Sequence, residues 1–261
     1  MASELYNSLK ADNPEKEPLF QGVESFVRCL AHILNLIVKD VLRSLKAGNI
    51  DEAFSACNDL RDGLPLLSST GTLAKLRIFA LWIDRSPQRR QKWKEICNFL
   101  NLPNKFIQYD VDTRWNSTFR MLNDGLQAKL QINKFLELQT DLSPFSSNDW
   151  LWLEQVHKVL SKFDEYTLLI SAKKPQISLS VAIYYELHDL LHDASERKGE
   201  FSDLDEDIVF AVKQGMKTYK KYYTFMDETD AYYIALMLDP RVKQNLILKE
   251  LEADENSGAL I

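Results

Sequence analysis

Hydrophobic residues recur along most of this chain at the three-to-four-residue spacing of an α-helix. Between Leu30 and Leu45, seven apolar side chains fall on one helical face, and Lys46-Ala47-Gly48 supplies a cation and a glycine where the helix ends. The same spacing predicts further helices, one starting at Ile50 and others over Thr72–Ile83, Gln88–Leu100, Phe119–Leu138, Asp149–Ile170, Leu179–Ser195, Asp205–Met226, Asp230–Met237 and Arg241–Leu251. The pattern therefore predicts a mainly α fold.

Capping residues mark two of the predicted helix starts. Two short segments depart from helical spacing. Asn49 with Glu52 three residues later forms a capping box, and Ser86-Pro87 pairs an N-cap with a first-turn proline. Val23–Cys29 (VESFVRC) alternates apolar and polar residues, and Lys105–Val111 (KFIQYDV) has an extended pattern. One or two short strands are therefore expected beside the helices.

Bulk composition limits the class of protein. The chain has 261 residues, 45% hydrophobic and 27% charged, which suits one large domain or two small ones with a real core. No apolar run approaches the roughly 18 residues of a membrane span. Cys29, Cys57 and Cys97 are odd in number and widely spaced, which favours a reducing compartment over a disulfide framework. No repeat of fixed period indicates a solenoid.

Charge is distributed unevenly. The net charge is −6, yet residues 72–134 contain twelve Lys and Arg against five Asp and Glu. A basic region on an acidic protein is typical of a surface that binds phosphate groups. The alternative is a solvated helix face, which charge alone does not exclude.

Two stretches combine cations with aromatic residues. Arg85–Lys94 (RSPQRRQKWK) places five cations around one helix start, and Lys213–Tyr223 interleaves lysines with tyrosines. Nucleic acids bind such surfaces because bases stack on aromatic rings while cations hold phosphates. Tyr and Trp are equally common at the boundary of a helical core. The first stretch is the better candidate because it lies in the basic region.

Signals for metal binding or nucleophilic catalysis are weak. Cys29-x-x-His32 supplies only two ligands, and His188 with His192 forms an i, i+4 pair whose spacing is often coincidental. The sequence shows neither a Gly-x-Ser-x-Gly elbow nor a glycine-rich phosphate loop. We therefore predict no metal, no cofactor and no catalytic residue.

Four segments together resemble the hAT superfamily of DNA transposases (the hobo–Activator group). They occur in the family's order across almost the whole chain. The segments are Arg28–Val38 with its Cys-x-x-His, Ser86–Arg90, Asp112–Thr118 with its Arg-Trp pair, and Leu238–Arg241.

The resemblance implies an RNase H-like fold interrupted by a large all-α insertion. We accordingly expect a partial RNase H-like region at 1–47, a helical insertion-type domain at 48–250 and a flexible tail at 251–261. In the family, two Asp and one Glu hold divalent metal for DNA cleavage, and the Cys29–His32 motif would lie beside that site. The chain resembles a fragment in which the three carboxylate positions fall outside the sequence, so we expect no catalysis.

The resemblance also implies residual binding to DNA ends. The residues carried over by motif are Arg114 and Trp115, with Arg89, Arg90 and Lys94 as further DNA ligands. Trp115 would be partly exposed beside Arg114 and stack on a base, whereas the alternative is that it anchors the following helix. The other functional hypothesis is a helical protein-interaction module without DNA binding. Expected partners are DNA, a second copy or a full-length transposase, in the nucleus and not at a membrane.

Overall fold

A computed structural model describes residues 2–18, 20–22, 25, 27–64, 70–109, 115–139, 142–171, 177–227 and 229–239. Within these residues the chain forms eleven α-helices and a short 3₁₀ helix at Gly199–Phe201. The helices are α1 Ala2–Asp12, α2 Leu30–Ser44, α3 Ile50–Arg61, α4 Thr72–Asp84, α5 Pro87–Phe99, α6 Trp115–Gln127, α7 Lys129–Glu137, α8 Ser147–Ile170, α9 Ser178–Ser195, α10 Glu206–Asp227 and α11 Ala231–Leu238. The prediction of a mainly α protein is confirmed.

Side-chain caps fix where several helices begin. Asn49 accepts a hydrogen bond from the Glu52 amide while the Glu52 carboxylate accepts one from the Asn49 amide, so the predicted capping box is present at α3. The Ser86 hydroxyl caps α5 ahead of Pro87, also as predicted. A second box, Ser146 with Asp149, begins α8 two residues before the start that the apolar pattern indicated.

Helix α2 lies in the middle of the core, where it packs on α10, α8 and α6. Its apolar face is fully buried, and Ile37 and Val41 lie against Gly215 of α10. The missing side chain of Gly215 lets the two helices approach closely. The domain boundary predicted near residue 47 stays a prediction.

Helix α4 is buried along most of its length and packs on α3, α5, α6 and α8. Phe79 of α4, Trp93 of α5 and Phe135 of α7 form an aromatic cluster, with ring centroids 5.7–6.2 Å apart. Such aromatic pairs add to the stabilisation from burial. The cluster fixes the position of α5, which carries the basic stretch.

The predicted strands are absent from the part of the chain that the structure describes. Residues 27–29 and 105–109 have no strand partner there, and the rest of both predicted strands lies partly outside the described residues. Side chains satisfy their backbone groups instead. The Tyr232 hydroxyl accepts from the Arg28 amide at 3.0 Å and donates to the Arg28 carbonyl at 3.1 Å, while Trp93 Nε1 donates to the Lys105 carbonyl at 3.2 Å.

One predicted helix is divided into two helices in the structure. Instead of a continuous Phe119–Leu138, α6 ends at Gln127 and α7 begins at Lys129, with Ala128 in a non-helical conformation. The predicted helix Arg241–Leu251 and the tail 251–261 lie outside the described residues. No helix among the described residues has the length and apolar character needed to cross a bilayer.

Candidate nucleic-acid interface

Five cations gather where α4 turns into α5. Four helical residues and one turn residue make up this basic corner: Arg85, Arg89, Arg90, Lys92 and Lys94. Ser86 and Pro87 start α5 immediately after the turn, so the cations occupy the turn and the first two turns of one helix. Trp93, Ile96 and Cys97 face the core, which leaves the charged positions around the outer face.

Aromatic rings hold two of these guanidinium groups. The Arg89 guanidinium lies 3.1 Å from the centroid of the Trp82 ring, and its Nη1 donates to the Trp82 carbonyl at 3.0 Å. Arg85 lies over the Phe54 ring at 5.0 Å, and its Nη1 is 3.4 Å from Asn58 Oδ1. Stacking on rings fixes the plane of a guanidinium and reduces the entropy lost when it binds a ligand.

The remaining cations of the corner are Arg90, Lys92 and Lys94, and all three are at least partly exposed. Arg90 lies 3.5 Å from Asp84, and its side chain is 43% exposed. An exposed ion pair of this kind contributes at most about 1 kcal/mol to stability. Lys94 is exposed, and Lys92 Nζ donates to the Leu138 carbonyl at 3.3 Å. The corner therefore presents cationic groups to solvent on a rigid helix.

Trp115 does not present an exposed ring beside the basic corner. The residue is 2% exposed, and its ring lies 6.1 Å from Phe119 and 6.5 Å from Phe163. Its amide is 3.4 Å from Asn35 Oδ1 of α2. The expectation of a partly exposed Trp115 is wrong, because aromatic side chains of α6 and α8 enclose the indole.

Arg114 belongs to residues 110–114, which lie outside the described residues, so its predicted role stays a prediction. The described contacts of Trp115 involve α2 and α8, whereas those of Arg89 and Arg90 involve α4. The structure thus brings Arg89, Arg90 and Lys94 together on one helix and gives Trp115 a different set of neighbours.

The lysine–tyrosine stretch on α10 has a structural explanation. Tyr219 is buried and donates its hydroxyl to the Tyr184 carbonyl at 3.0 Å. Burial raises the pKa of the Tyr219 hydroxyl well above its ordinary value. Tyr222 and Tyr223 pack against the same core. These rings have their main contacts inside the protein, so the α10 stretch is the weaker DNA candidate.

The Cys-x-x-His motif lies at the start of α2. Cys29 is the N-cap residue and is exposed, and the His32 amide donates to the Cys29 carbonyl at 3.0 Å. On α9, the rings of His188 and His192 stack with centroids 6.0 Å apart, and Lys198 Nζ lies 3.0 Å from His192 Nε2. Within the described residues, His, Cys, Asp and Glu form no group of three or more that could hold a metal.

Sequence reasoning missed two residues of α3 that adjoin the corner. Arg61 and Asn58 line a small cavity with Trp82, Arg85 and Arg89. Arg61 is separated from Arg85 by the connection after α3 and the whole of α4. Only the packing of α3 on α4, which the capping box and the apolar spacing did not specify, brings them together.

Comparisons with known proteins place this helical assembly in a family. The family model described as the ZBED1 RNase-like helical domain matches residues 27–159. The chain is similar to the rice protein RICESLEEPER 2, a zinc finger BED domain-containing protein of Oryza sativa subsp. japonica, with 27% identity over 88% of this chain and 28% of the relative. It is also similar to the putative AC9 transposase of Zea mays, with 34% identity over 87% of this chain and 27% of the relative.

A human relative extends the comparison beyond plants. Zinc finger BED domain-containing protein 4 of Homo sapiens is 24% identical over 93% of this chain and 18% of its own length. The chain thus spans between 18% and 28% of the length of these three relatives. No solved structure matches the chain. The family model covers more than half of the sequence, and the chain therefore belongs to the hAT transposase-like family that contains the ZBED1 RNase-like helical domain.

Proposed function

We propose that the chain binds DNA near a transposon end through the basic corner, as the helical region of a transposase-like protein. The observation that supports this proposal is the gathering of Arg85, Arg89, Arg90, Lys92 and Lys94 around the start of α5. Aromatic rings hold two of these groups, so part of the surface is preorganised. A DNA-binding role places the protein's action in the nucleus.

The local charge makes such binding physically reasonable despite the acidic total. Residues 72–134 carry seven more cationic than acidic side chains, while the whole chain has a net charge of −6. Phosphate contacts release condensed counterions, so affinity that comes from this corner falls as salt rises. The acidic remainder repels DNA elsewhere and restricts binding to one face. Arg114 remains a proposed ligand that adjoins α6.

The first test removes two exposed cations of the corner. Arg90→Gln with Lys94→Gln is expected to weaken binding to a DNA duplex and to reduce the slope of log affinity against log salt by roughly 1.8, because each neutralised phosphate contributes about 0.9. Fluorescence anisotropy at several salt concentrations measures both quantities. Melting temperature should change little, since both side chains project into solvent.

The matched control removes the same charge from α10. Lys213→Gln with Lys217→Gln changes two exposed lysines of the second basic stretch, and the salt slope is expected to remain that of the unaltered protein. An equal loss of slope in both double variants would attribute binding to net charge alone and contradict a site at the corner.

The second test concerns catalysis. We propose that the chain alone neither nicks nor joins DNA when Mg²⁺ or Mn²⁺ is supplied. Phosphoryl transfer of this type needs carboxylates that hold metal ions on both sides of the scissile phosphate, and the described residues contain no group of three such ligands. Incubation with a transposon-end substrate and gel analysis should show intact DNA. Metal-dependent nicking that disappears when one carboxylate is changed would refute this proposal.

A second candidate function is a helical protein-interaction module. Its support is a row of exposed apolar side chains on α11, Ile234, Met237 and Leu238, at the i, i+3, i+4 spacing of one helical face. A second copy or a full-length relative would be the partner. Failure of the unaltered protein to bind DNA, together with a concentration-dependent mass in sedimentation, would favour this function over the first.

A further inference from the structure

A small cavity lies where α3, α4 and α5 meet. Its volume is about 110 Å³, and its walls are Cys57, Asn58, Arg61, Trp82, Arg85 and Arg89. A water molecule occupies about 30 Å³ in the liquid, so the space holds a few waters or one compact group. It is far smaller than the roughly 300–1,000 Å³ of pockets that enclose a whole drug-sized molecule. The size therefore suits a single anionic group that belongs to a larger ligand.

Three arginines line this cavity, and none of the described residues in its lining carries a carboxylate. Arg61 comes from the last turn of α3, Arg85 from the turn after α4, and Arg89 from the first turns of α5. Guanidinium groups bind phosphate with two parallel N–H donors, which makes arginine the preferred residue for such contacts. The lining thus has the charge and the donor geometry of an anion site.

Among the described residues, the carboxylates closest to the cavity form exposed ion pairs. Arg61 Nε lies 3.5 Å from Asp62, and both side chains are about two-thirds exposed to solvent. Asp84 lies beside Arg90 rather than in the cavity. Exposed ion pairs are weak, with about 0–1 kcal/mol each, so a phosphate can compete for Arg61.

The remaining contacts keep the cationic walls in place. Arg89 is held on the Trp82 ring, and Arg85 is held between the Phe54 ring and Asn58. Cys57 forms the floor, and its burial raises the pKa of the thiol to about 11, against the opposing effect of the nearby Arg85 and Arg89 charges. The Cys57 thiol therefore stays protonated at neutral pH and adds no negative charge to the cavity.

We propose that this three-arginine cavity binds one phosphate group of a DNA backbone, with Arg61, Arg85 and Arg89 as its ligands. The proposal rests on the DNA-binding function above for the source of the phosphate. The basic corner continues from Arg89 to Arg90 and Lys94 along α5, so a strand seated in the cavity extends over these cations. The cavity would fix the position of the DNA backbone on the protein, as phosphate contacts do, without contacting the bases.

The test combines Arg61→Gln with Arg85→Gln and leaves Arg89 on Trp82. This double variant is expected to reduce the slope of log DNA affinity against log salt by about 0.9, the contribution of one phosphate. Inorganic phosphate, titrated into the free protein, should shift the indole signal of Trp82 in NMR spectra, and the double variant should lose that shift. Arg43→Gln is the control, because Arg43 is an exposed arginine of α2 that pairs with Asp40.

The outcomes separate the two proposals. An unchanged salt slope and an unchanged Trp82 response in the double variant would overturn the cavity site while the corner remains a DNA interface. Loss of the phosphate response in a protein that never binds DNA would support the cavity as an anion site and overturn the DNA function. If the glutamine variant has a lower melting temperature, Arg61→Lys with Arg85→Lys replaces it in the test. The lysine variant keeps the positive charge and removes the paired N–H donors. This variant should still weaken the response to phosphate.

Discussion

Trp115→Ala is expected to lower the free energy of unfolding by about 3–5 kcal/mol, the usual cost of removing a buried large aromatic side chain. The indole is enclosed by Phe119 of its own helix and Phe163 of α8, so its loss leaves a cavity between α6 and α8. DNA affinity of the folded variant should change little, because a ring that is 2% exposed has no face available to a base. Thermal melting and DNA anisotropy on the same sample measure both effects.

Phe99→Ala is the matched control for this experiment. Phe99 ends α5 and is 77% exposed, so removing its ring should alter stability by no more than about 0.5 kcal/mol, as for most surface changes. If Trp115→Ala melted normally yet lost affinity for single-stranded DNA, the indole would be a base-stacking residue that becomes exposed on binding. That result would restore the role implied by the family resemblance.

Gly215→Val is expected to destabilise the protein by about 3 kcal/mol, near the upper end for overpacking a core. A Cβ atom at this position would lie 2.7 Å from Val41 Cγ2 and 3.3 Å from Ile37 Cγ2 of α2. Both neighbours are β-branched residues with little rotamer freedom in a helix, so they cannot swing aside. The helices α2 and α10 would have to separate, and chemical denaturation should show a lower midpoint.

Lys220→Val controls for the intrinsic helix propensity of valine. Lys220 is an exposed residue of α10, and valine there costs only a few tenths of a kcal/mol. Equal destabilisation by the two variants would show that propensity, and not the contact with α2, sets the effect at Gly215.

Local chemistry made much of the helical fold predictable. The Asn49–Glu52 box and the Ser86-Pro87 start depend on residues within one turn of each other, so their sequence signals carry nearly all the necessary information. The apolar face of α2 is equally local. The break at Ala128 was missed because the apolar spacing continues across it from Phe119 to Leu136.

The predictions that failed concern residues whose contacts are far away in the sequence. The strand predicted at Val23–Cys29 needed a neighbour, and the polar groups of Arg28 are instead bonded to the hydroxyl of Tyr232, which is more than two hundred residues away in the chain. Trp115 was expected to show a face to solvent, but its ring packs against Phe163 of α8, and its amide lies 3.4 Å from Asn35 Oδ1 of α2. Arg61 was missed for the same reason. The packing of α3 against α4 brings it to the cavity, and neither helix sequence alone predicts that packing.

The pairing of α2 with α10 has a consequence for synthesis of the chain. Helix α2 ends at Ser44, and its main partner is complete only at Asp227. At about 5–20 residues per second on the ribosome, the apolar face of α2 waits roughly 10–40 s for that partner. During this interval Ile37, Val38 and Val41 have no α10 surface to cover them. Until α10 has been synthesised, this apolar face is therefore available to chaperones and to non-native contacts with other apolar segments.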